Sequence, residues 1–241
     1  MGVDEKGETL EKITANQLFN TNERRELILK TSKFNDYIPE YYQTGGVLYP
    51  SSEPEAFYKA IENTLDKIIH SDLEYLRQIN VKIENDVHKL LEIIAISPAG
   101  EANYSNIASN LSISKPTLIK VISDLEKIGL VKRISPCGRA IVRKEPKLYL
   151  SFPFRAFFNY VLQRQPDKGA LREEFFANHA DNICYVKGNR GEKTPDFSFS
   201  GKTVEIGGPG KTFHQKPDYI ITDGVPLEEN KIPLYLTGFL Y

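Results

Sequence analysis

The chain has 241 residues, of which 40% are hydrophobic and 26% charged, and its formal net charge is −1. This composition predicts a globular protein of about one to two domains. It offers no stretch near the roughly 18 consecutive apolar residues that a membrane helix needs. The acidic N-terminus lacks the order of a signal peptide, and Cys137 and Cys184 are too few for a disulfide scaffold or a cysteine metal site. We therefore expect a protein of the reducing cytoplasm, without a membrane partner.

Charge is distributed unevenly along the chain. Residues 1–100 hold 11 Lys/Arg against 17 Asp/Glu, whereas residues 101–150 hold 9 against 4 and residues 151–241 hold 11 against 11. A basic segment between an acidic and a neutral one indicates a local nucleic-acid surface. The alternative is a solvated face with an excess of lysine.

The first predicted segment, residues 1–97, is polar at its start and helical after that. Residues 1–50 read as polar and irregular. From Glu55 onward, apolar residues recur every three or four positions, which predicts one face of a long helix. A second helix, with Val87 to Ala95 on its apolar side, ends before Pro98.

Residues 98–150 read as a winged helix-turn-helix. Ser105 is expected to cap a short helix, and Ser114 to cap a second one that ends at Gly129. Two β-like runs follow, Leu130–Ile134 and Ala140–Arg143, and the turn between them has the composition of a wing tip.

The start of the second helix is the predicted DNA contact. Polar side chains lie there off the apolar stripe, where a recognition helix meets the major groove, and one more cation lies at the wing tip. The expected contacts are Ser114, Lys115, Thr117, Lys120 and Arg139. The alternative is a winged helix that serves only for docking to another protein.

Residues 151–241 predict a small α/β or α+β domain, because helices are followed by several strands. An aromatic-rich helix begins near Phe152, and a second helix follows Gly169. Cys184 reads as a buried strand residue. The β-like runs are Ile183–Lys187, Pro195–Phe199, Thr203–Ile206, Tyr219–Thr222 and Pro233–Leu240.

A pair of carboxylates is predicted on a hairpin within this domain. Ser200-Gly201 is a turn dipeptide between two alternating runs, which predicts a two-residue hairpin. In that register Asp196 faces Glu205, and facing carboxylates repel each other unless a divalent cation bridges them. The alternative is a three-residue turn, which would leave the acids out of register and in solvent.

The order Pro195-Asp196, then Glu205, then a lysine resembles the core of the PD-(D/E)XK nucleases. This resemblance implies a restriction-endonuclease-like fold in which Asp196 and Glu205 hold Mg²⁺ or Mn²⁺. It implies that Lys211 stabilises negative charge on the phosphate. The standard lysine position, two residues after the glutamate, is Gly207 in this chain.

Two further matches extend the resemblance. Gln215 to Tyr219 fits the Q-x-x-x-Y motif of the branch that includes the RecB exonuclease, which implies that Gln215 and Tyr219 position the DNA strand. Glu173 matches the acidic residue of the first helix in these nucleases and would support the metal.

Residues 37–241 also resemble the C-terminal half of a family of archaeal-type AAA+ ATPases. These proteins run from an ATPase core through a helical lid and a winged helix to a nuclease-like domain. Tyr37–Pro50 and the helix after it, within the segment 1–97, resemble the end of the lid. The matching stretches include Ile113–Thr117, Leu125–Leu130, Arg143–Tyr149 and Ile232–Tyr241. A P-loop needs a glycine where this chain has Glu205 before Gly210-Lys211-Thr212. We therefore expect no nucleotide cofactor and no ATPase activity of the chain alone, with a separate ATPase or other protein chain as a partner.

Two functions follow from this sequence. The first is a DNA-binding protein with a metal-dependent nuclease site. The second is a catalytically inactive DNA-binding regulator or protein-docking module that uses the nuclease fold as a scaffold, which the displaced lysine favours.

Overall fold

The structure is a computed structural model that describes residues 12–47, 53–73, 81–98, 102–138, 145–188, 193–210 and 216–240. Within these residues the chain is mixed α/β, with ten α-helices and two β-sheets, which confirms the predicted mixture of helices and strands. None of the described helices combines the length and the apolar character needed to cross a membrane.

The helices and strands follow one another along the chain with these bounds. The helices are α1 (Ala15–Phe19), α2 (Thr21–Thr31), α3 (Ile38–Thr44), α4 (Pro54–Lys67), α5 (Val81–Ile96), α6 (Tyr104–Asn110), α7 (Lys115–Lys127), α8 (Phe154–Val161), α9 (Lys168–His179) and α10 (Leu234–Thr237). The strands are β1 (Val131–Ile134), β2 (Lys147–Leu150), β3 (Cys184–Tyr185), β4 (Phe197–Phe199), β5 (Lys202–Gly207), β6 (Tyr219–Thr222) and β7 (Lys231–Pro233).

The chain divides into two compact units. The sheet unit comprises Met1–Pro39, Ile134–Lys144 and Arg172–Tyr241, and the helical unit comprises Glu40–Arg133 and Glu145–Leu171. Each unit therefore draws on segments that are distant in the sequence.

The helical unit has a core of apolar side chains from α4 to α8. Phe57, Ile61 and Leu65 are buried on one side of α4, as their helical spacing predicts. At the end of α5, the buried guanidinium of Arg155 donates a hydrogen bond to the backbone oxygen of Ala95 at 2.6 Å. Because α8 carries Arg155, this bond ties α8 to the end of α5.

Helix α6 begins two residues earlier than expected. The side chain of Asn103 accepts a hydrogen bond from the Asn106 N–H at 3.0 Å, so Asn103 is the N-cap and the expectation of Ser105 was wrong. With Asn103 as the N-cap, Tyr104 is the first residue of the helix, and its side chain is buried. A side chain that accepts from the N3 amide satisfies one of the free donors at a helix start.

Helix α7 follows the prediction closely. The Ser114 Oγ accepts a hydrogen bond from the Thr117 N–H at 3.2 Å. The helix ends at Lys127 with Ile128 as its C-cap. Gly129 follows as the C′ residue, and its φ of +76° is a left-handed conformation that favours glycine. Strand β1 then pairs with β2 in a two-stranded sheet. The second predicted wing strand, Ala140–Arg143, lies outside the described residues.

The sheet unit contains a five-stranded mixed sheet in the order β3-β4-β5-β6-β7. The first two pairings are antiparallel and the last two are parallel. Phe199 pairs with Lys202, which confirms the two-residue hairpin. Ser200 and Gly201 have φ values of +48° and +79°, and two positive values are what a tight type I′ hairpin requires.

The polar N-terminal region is helical, so the expectation of an irregular segment before residue 50 was wrong for its described part. Thr14 and Gln17 form a reciprocal capping box at the start of α1. The Asn20 side chain accepts hydrogen bonds from Asn22 N–H and Glu23 N–H at the start of α2. Capping by polar side chains starts these helices, and that pattern carries no apolar periodicity.

The prediction of a β-like run over Pro233–Leu240 was wrong for most of its length. Only residues up to Pro233 form β7, and Leu234–Thr237 form α10. All four residues of α10 are buried. A continuous apolar run of this length does not distinguish a buried strand from a buried helix by periodicity.

Cys137 and Cys184 form a disulfide within the sheet unit. Cys184 lies on β3, as expected, but it is half-buried, so the expectation of a buried residue was wrong. The Cys137 N–H donates to the Tyr185 oxygen, and the Tyr185 N–H donates to the Ser135 oxygen, both at 3.0 Å. The described part of the predicted wing turn thus pairs with β3. Disulfides persist mainly in oxidising compartments, and the cytoplasmic location stays a prediction.

Candidate functional site

The predicted DNA contacts at the start of α7 share one exposed surface. Leu118, Ile122 and Leu125 are buried on the other side of the helix. We call the following residues, all of them exposed, the α7 surface: Ser114, Lys115, Thr117 and Lys120. Arg139, the predicted wing-tip contact, lies outside the described residues.

Lys115 of the α7 surface forms an ion pair with Glu145. The second oxygen of Glu145 accepts a hydrogen bond from the Tyr104 backbone N–H at 2.9 Å. The same carboxylate therefore contacts the first residue of α6 and the first residue of α7.

Other cations of the helical unit are also paired with carboxylates. Lys127 lies 3.1 Å from Asp124, and the Arg133 Nε donates to Glu126 at 2.6 Å. Lys120 has no ion pair among the described residues and is exposed. Carboxylates of the unit thus neutralise part of the predicted excess of positive charge. On the α7 surface, a phosphate could contact Lys120 without first displacing a carboxylate from it.

The predicted metal ligands lie on one strand of the sheet unit and directly before its neighbour. Glu205 is on β5 and only 4% exposed. Asp196 directly precedes β4, and its Oδ2 accepts a hydrogen bond from the Ile206 backbone N–H at 2.8 Å. Asp196 is thus fixed beside the residue that follows Glu205. Carboxylate oxygens are the donors that Mg²⁺ prefers, so the donor chemistry of these two residues fits the predicted ion.

Helix α9 covers the other face of this hairpin. Its Phe176 ring packs 5.4 Å from Phe197 and 5.6 Å from Phe199. Side chains alternate between faces along a strand, so Glu205 points away from the face that carries its neighbour Val204 and these rings. Glu173, on α9, is half-buried. Whether it supports the metal stays a prediction.

No group of three or more His, Cys, Asp or Glu side chains that could hold a metal is found among the residues that the structure describes. Within that part of the chain, Glu173 does not complete a three-carboxylate cluster with Asp196 and Glu205. Lys211 and Gln215 lie outside the described residues. Their predicted roles therefore stay predictions.

Arg172 was not identified from the sequence, although it lies beside the glycine segment that follows β5. Its Nε and Nη2 donate to Asp223 Oδ2 at 2.8 and 2.5 Å. A Cβ added to Gly208 would be 3.4 Å from the Arg172 Nη2. Asp223 follows β6 directly, as Gly208 follows β5. Because β5 and β6 are parallel, their carboxyl ends meet at one edge, and this proximity could have been expected.

Glu174 was also missed. It is fully buried on α9, with Ala170 four residues before it and Ala177 three residues after it. Both alanines are likewise buried. The i, i+4, i+7 spacing of Glu174 with these two alanines was the feature of the sequence that could have indicated its burial.

Tyr219, the predicted DNA contact of the sheet unit, is part of a packed cluster. Its ring stacks on Phe19 with centroids 4.7 Å apart, and its hydroxyl donates to the Phe19 backbone oxygen at 3.0 Å. Arg24 lies over the same ring at 5.9 Å from the centroid. Burial lowers the pKa of Arg24 from its ordinary value. These contacts give Tyr219 a structural role, and a contact with DNA stays a prediction.

Asp218, next to Tyr219, joins the starts of β5 and β6. Its Oδ2 accepts hydrogen bonds from the Thr203 N–H at 2.8 Å and the Thr203 Oγ1 at 2.7 Å. These bonds hold the pKa of Asp218 below its ordinary value, because they favour the charged carboxylate. The middle of the Q-x-x-x-Y stretch therefore stabilises the sheet.

Over its described residues the chain is thus mixed α/β, with an exposed polar and basic surface on α7 and the carboxylates of Asp196 and Glu205 at the β4–β5 hairpin. Its residues 34–151 match a family described as a domain of unknown function, DUF8612. It is also similar to an uncharacterized protein of Methanocaldococcus jannaschii, with 28% identity over 159 residues, 63% of this chain and 33% of that protein. The chain therefore spans about a third of the length of this curated relative. No solved structure matched the chain.

Proposed function

We propose that the protein binds duplex DNA through a winged helix-turn-helix in residues 98–150. The observation that carries this proposal is the α7 surface, where four exposed polar or basic side chains occupy the first turns of one helix. A sharp turn precedes this helix, with Ser112 at a φ of +53°, and the β1–β2 pair follows it. A recognition helix followed by a wing would have this order of elements, which supports the proposal.

In this proposal the start of α7 enters the major groove. Lys120 contacts a phosphate. The hydroxyl oxygens of Ser114 and Thr117 lie 2.7 Å apart and share one hydrogen bond, so one of the two hydroxyls donates to a phosphate oxygen or a base edge. Contacts between cations and phosphates release counterions, so the binding constant should fall steeply as salt concentration rises.

The test is a titration of duplex DNA with the purified protein across a range of salt concentrations. Lys120→Ala should weaken binding about two- to fivefold and make the log–log salt slope shallower by about 0.9, the loss of one phosphate contact. Lys67→Ala is the matched control, because Lys67 is an exposed lysine of α4 in the same unit. Binding that is absent, insensitive to salt, or unaffected by Lys120→Ala would contradict the proposal and favour a protein-docking role.

We further propose metal-dependent cleavage of phosphodiester bonds by the sheet unit, as a PD-(D/E)XK-like domain. The specific observation in its favour is the buried Glu205 on a central strand, with Asp196 fixed beside it through Ile206. Asp196 and Glu205 would hold Mg²⁺ or Mn²⁺. Such an ion, when bound, activates a water and neutralises charge on the phosphate.

Incubation with linear, single-stranded and branched DNA in Mg²⁺, Mn²⁺ or EDTA tests this activity. Glu205→Gln should lower the cleavage rate by about 100-fold or more, since removal of one metal ligand removes the charge that stabilises the transition state. Asp36→Asn, at an exposed carboxylate of the same unit, should leave the rate unchanged. Absence of cleavage by a wild-type protein that binds DNA would favour the catalytically inactive regulator.

A further inference from the structure

The Glu145 carboxylate contacts both helices of the helix-turn-helix at their first residues. One oxygen pairs with the Lys115 ammonium, and the other accepts a hydrogen bond from the Tyr104 backbone N–H at 2.9 Å. Tyr104 begins α6 and Lys115 begins α7. Glu145 itself lies two residues before the start of β2, so it joins the strand segment to both helix starts.

This contact also supplies an anion at the α7 surface. The side chains of Lys115 and Glu145 are 45% and 32% exposed, so solvent and a bound phosphate can reach the pair. A lysine ammonium is a compact single charge. When Lys115 contacts a DNA phosphate, counterions are released from the DNA and binding is strengthened. A carboxylate that already neutralises Lys115 reduces this gain.

We propose that Glu145 is the positioning and affinity-limiting residue of the α7 surface, an inference that rests on the proposed DNA binding. It holds Lys115 at the start of α7 and neutralises its charge, and a DNA phosphate must displace the carboxylate to contact Lys115. The chain thereby binds duplex DNA more weakly than its number of basic residues indicates. Lys120, which has no such pair in the described residues, contributes to affinity without this exchange.

Glu145→Gln tests the inference because the amide keeps an oxygen that can accept from Tyr104 and removes the negative charge. We expect duplex DNA to bind about two- to fivefold more tightly, with the log–log salt slope steeper by up to about 0.9, one further phosphate contact. A merely structural role of Glu145 would not steepen the salt slope. Thermal unfolding of the variant confirms that the fold is retained.

Glu126→Gln is the matched control. Glu126 also pairs with a cation of the helical unit, Arg133, and the side chains of that pair are 33% and 30% exposed. The variant changes the net charge by the same amount. A gain in affinity that Glu126→Gln reproduces would come from net charge alone and would overturn the inference.

A double-mutant cycle shows whether the effect passes through Lys115. The gain that Glu145→Gln produces in the wild-type background should be absent in a Lys115→Met background, because coupled residues are not additive. If Glu145→Gln unfolds the protein, Lys115→Met in the wild-type background still tests the inference. A loss of DNA affinity as large as that of Lys120→Ala would overturn it.

The outcomes separate this inference from the proposed function. If neither wild type nor Glu145→Gln binds DNA, both are overturned. If wild type binds with a salt-dependent constant and Glu145→Gln binds no more tightly, the DNA function stands and the role of Glu145 is wrong. Tighter binding by Glu145→Gln with a steeper salt slope supports both.

Discussion

The α7 surface and the cluster around Tyr219 each contain basic side chains, but in opposite environments. Lys115 is 45% exposed and pairs with a carboxylate whose side chain is 32% exposed. Arg24, beside Tyr219, is 3% exposed and donates to backbone oxygens. Cations and aromatic rings therefore do not by themselves define a binding surface. Substitution should alter ligand affinity in the first region and stability in the second.

The largest effect on stability is expected from the disulfide of the sheet unit. The bond closes a loop with a sequence separation of 47 residues, and the chain-entropy model gives about 4 kcal/mol for a loop of this size. A Cys137→Ser/Cys184→Ser variant should lose about that much free energy of unfolding, measured by urea denaturation. Reductant should lower the stability of wild type alone. Equal stability of wild type with and without reductant would show that the bond does not form in solution.

Arg24→Met should be the next largest change. Its guanidinium donates to the Leu18 oxygen at 2.6 Å and to the Glu229 oxygen at 2.5 Å. Methionine leaves both acceptors without this donor, and a charged hydrogen bond contributes about 1.5–3 kcal/mol. We expect a loss of about 3 kcal/mol, measured by chemical denaturation.

Arg25→Met is the matched control for this variant. Arg25 is exposed and pairs with Glu229 at 3.4 Å on the surface, so its loss should cost well under 1 kcal/mol. Similar losses of free energy of unfolding for the two variants would contradict the expected difference between the buried Arg24 and the exposed Arg25.

Ser114→Ala tests whether the α7 surface also stabilises the fold. The Ser114 Oγ accepts from the Thr117 N–H, and loss of an N-cap costs about 1 kcal/mol. Thermal unfolding measures this loss. Ser105→Ala, at an exposed position that is not a cap, should change stability by much less. A Ser114 variant of unchanged stability would restrict the α7 surface to a binding role.

The smallest effect concerns pH and the sheet unit. Burial raises the pKa of Tyr235 above its ordinary value of 10.0, so the folded protein favours the neutral phenol. Its contribution to stability is complete below about pH 10 and is lost as pH rises from there through the raised pKa. Tyr235→Phe should flatten the decline in stability above about pH 10, measured by denaturation at each pH. A decline of the same steepness in both proteins would count against this role of Tyr235.

The sequence predicted elements well where local chemistry decides the structure. The i, i+4, i+7 stripe of α7, its Ser114 cap and its Gly129 end depend on neighbours within a few residues of each other. The Ser200-Gly201 hairpin is equally local, because two positive φ values set the turn type and the turn sets the register. The α7 surface follows from these local features, since the side of a helix opposite its apolar stripe faces solvent.

Burial and pairing between distant segments were not predictable in the same way. Nothing near Cys137 indicates that β3 pairs with its segment, and nothing near Arg24 indicates that its acceptors are Leu18 and Glu229. The buried run of α10 also lacked a periodicity that separates helix from strand.

The sequence alone therefore determined the mixture of helices and strands, the limits of α7 and the hairpin that carries Asp196 and Glu205. Only the tertiary structure decided which cations are buried, which are neutralised by carboxylates such as Glu145, and how the cysteines pair. The physical reason is range. Caps, turns and periodicity act over a few residues, whereas burial and ion pairing depend on which distant segments the folded chain brings into contact.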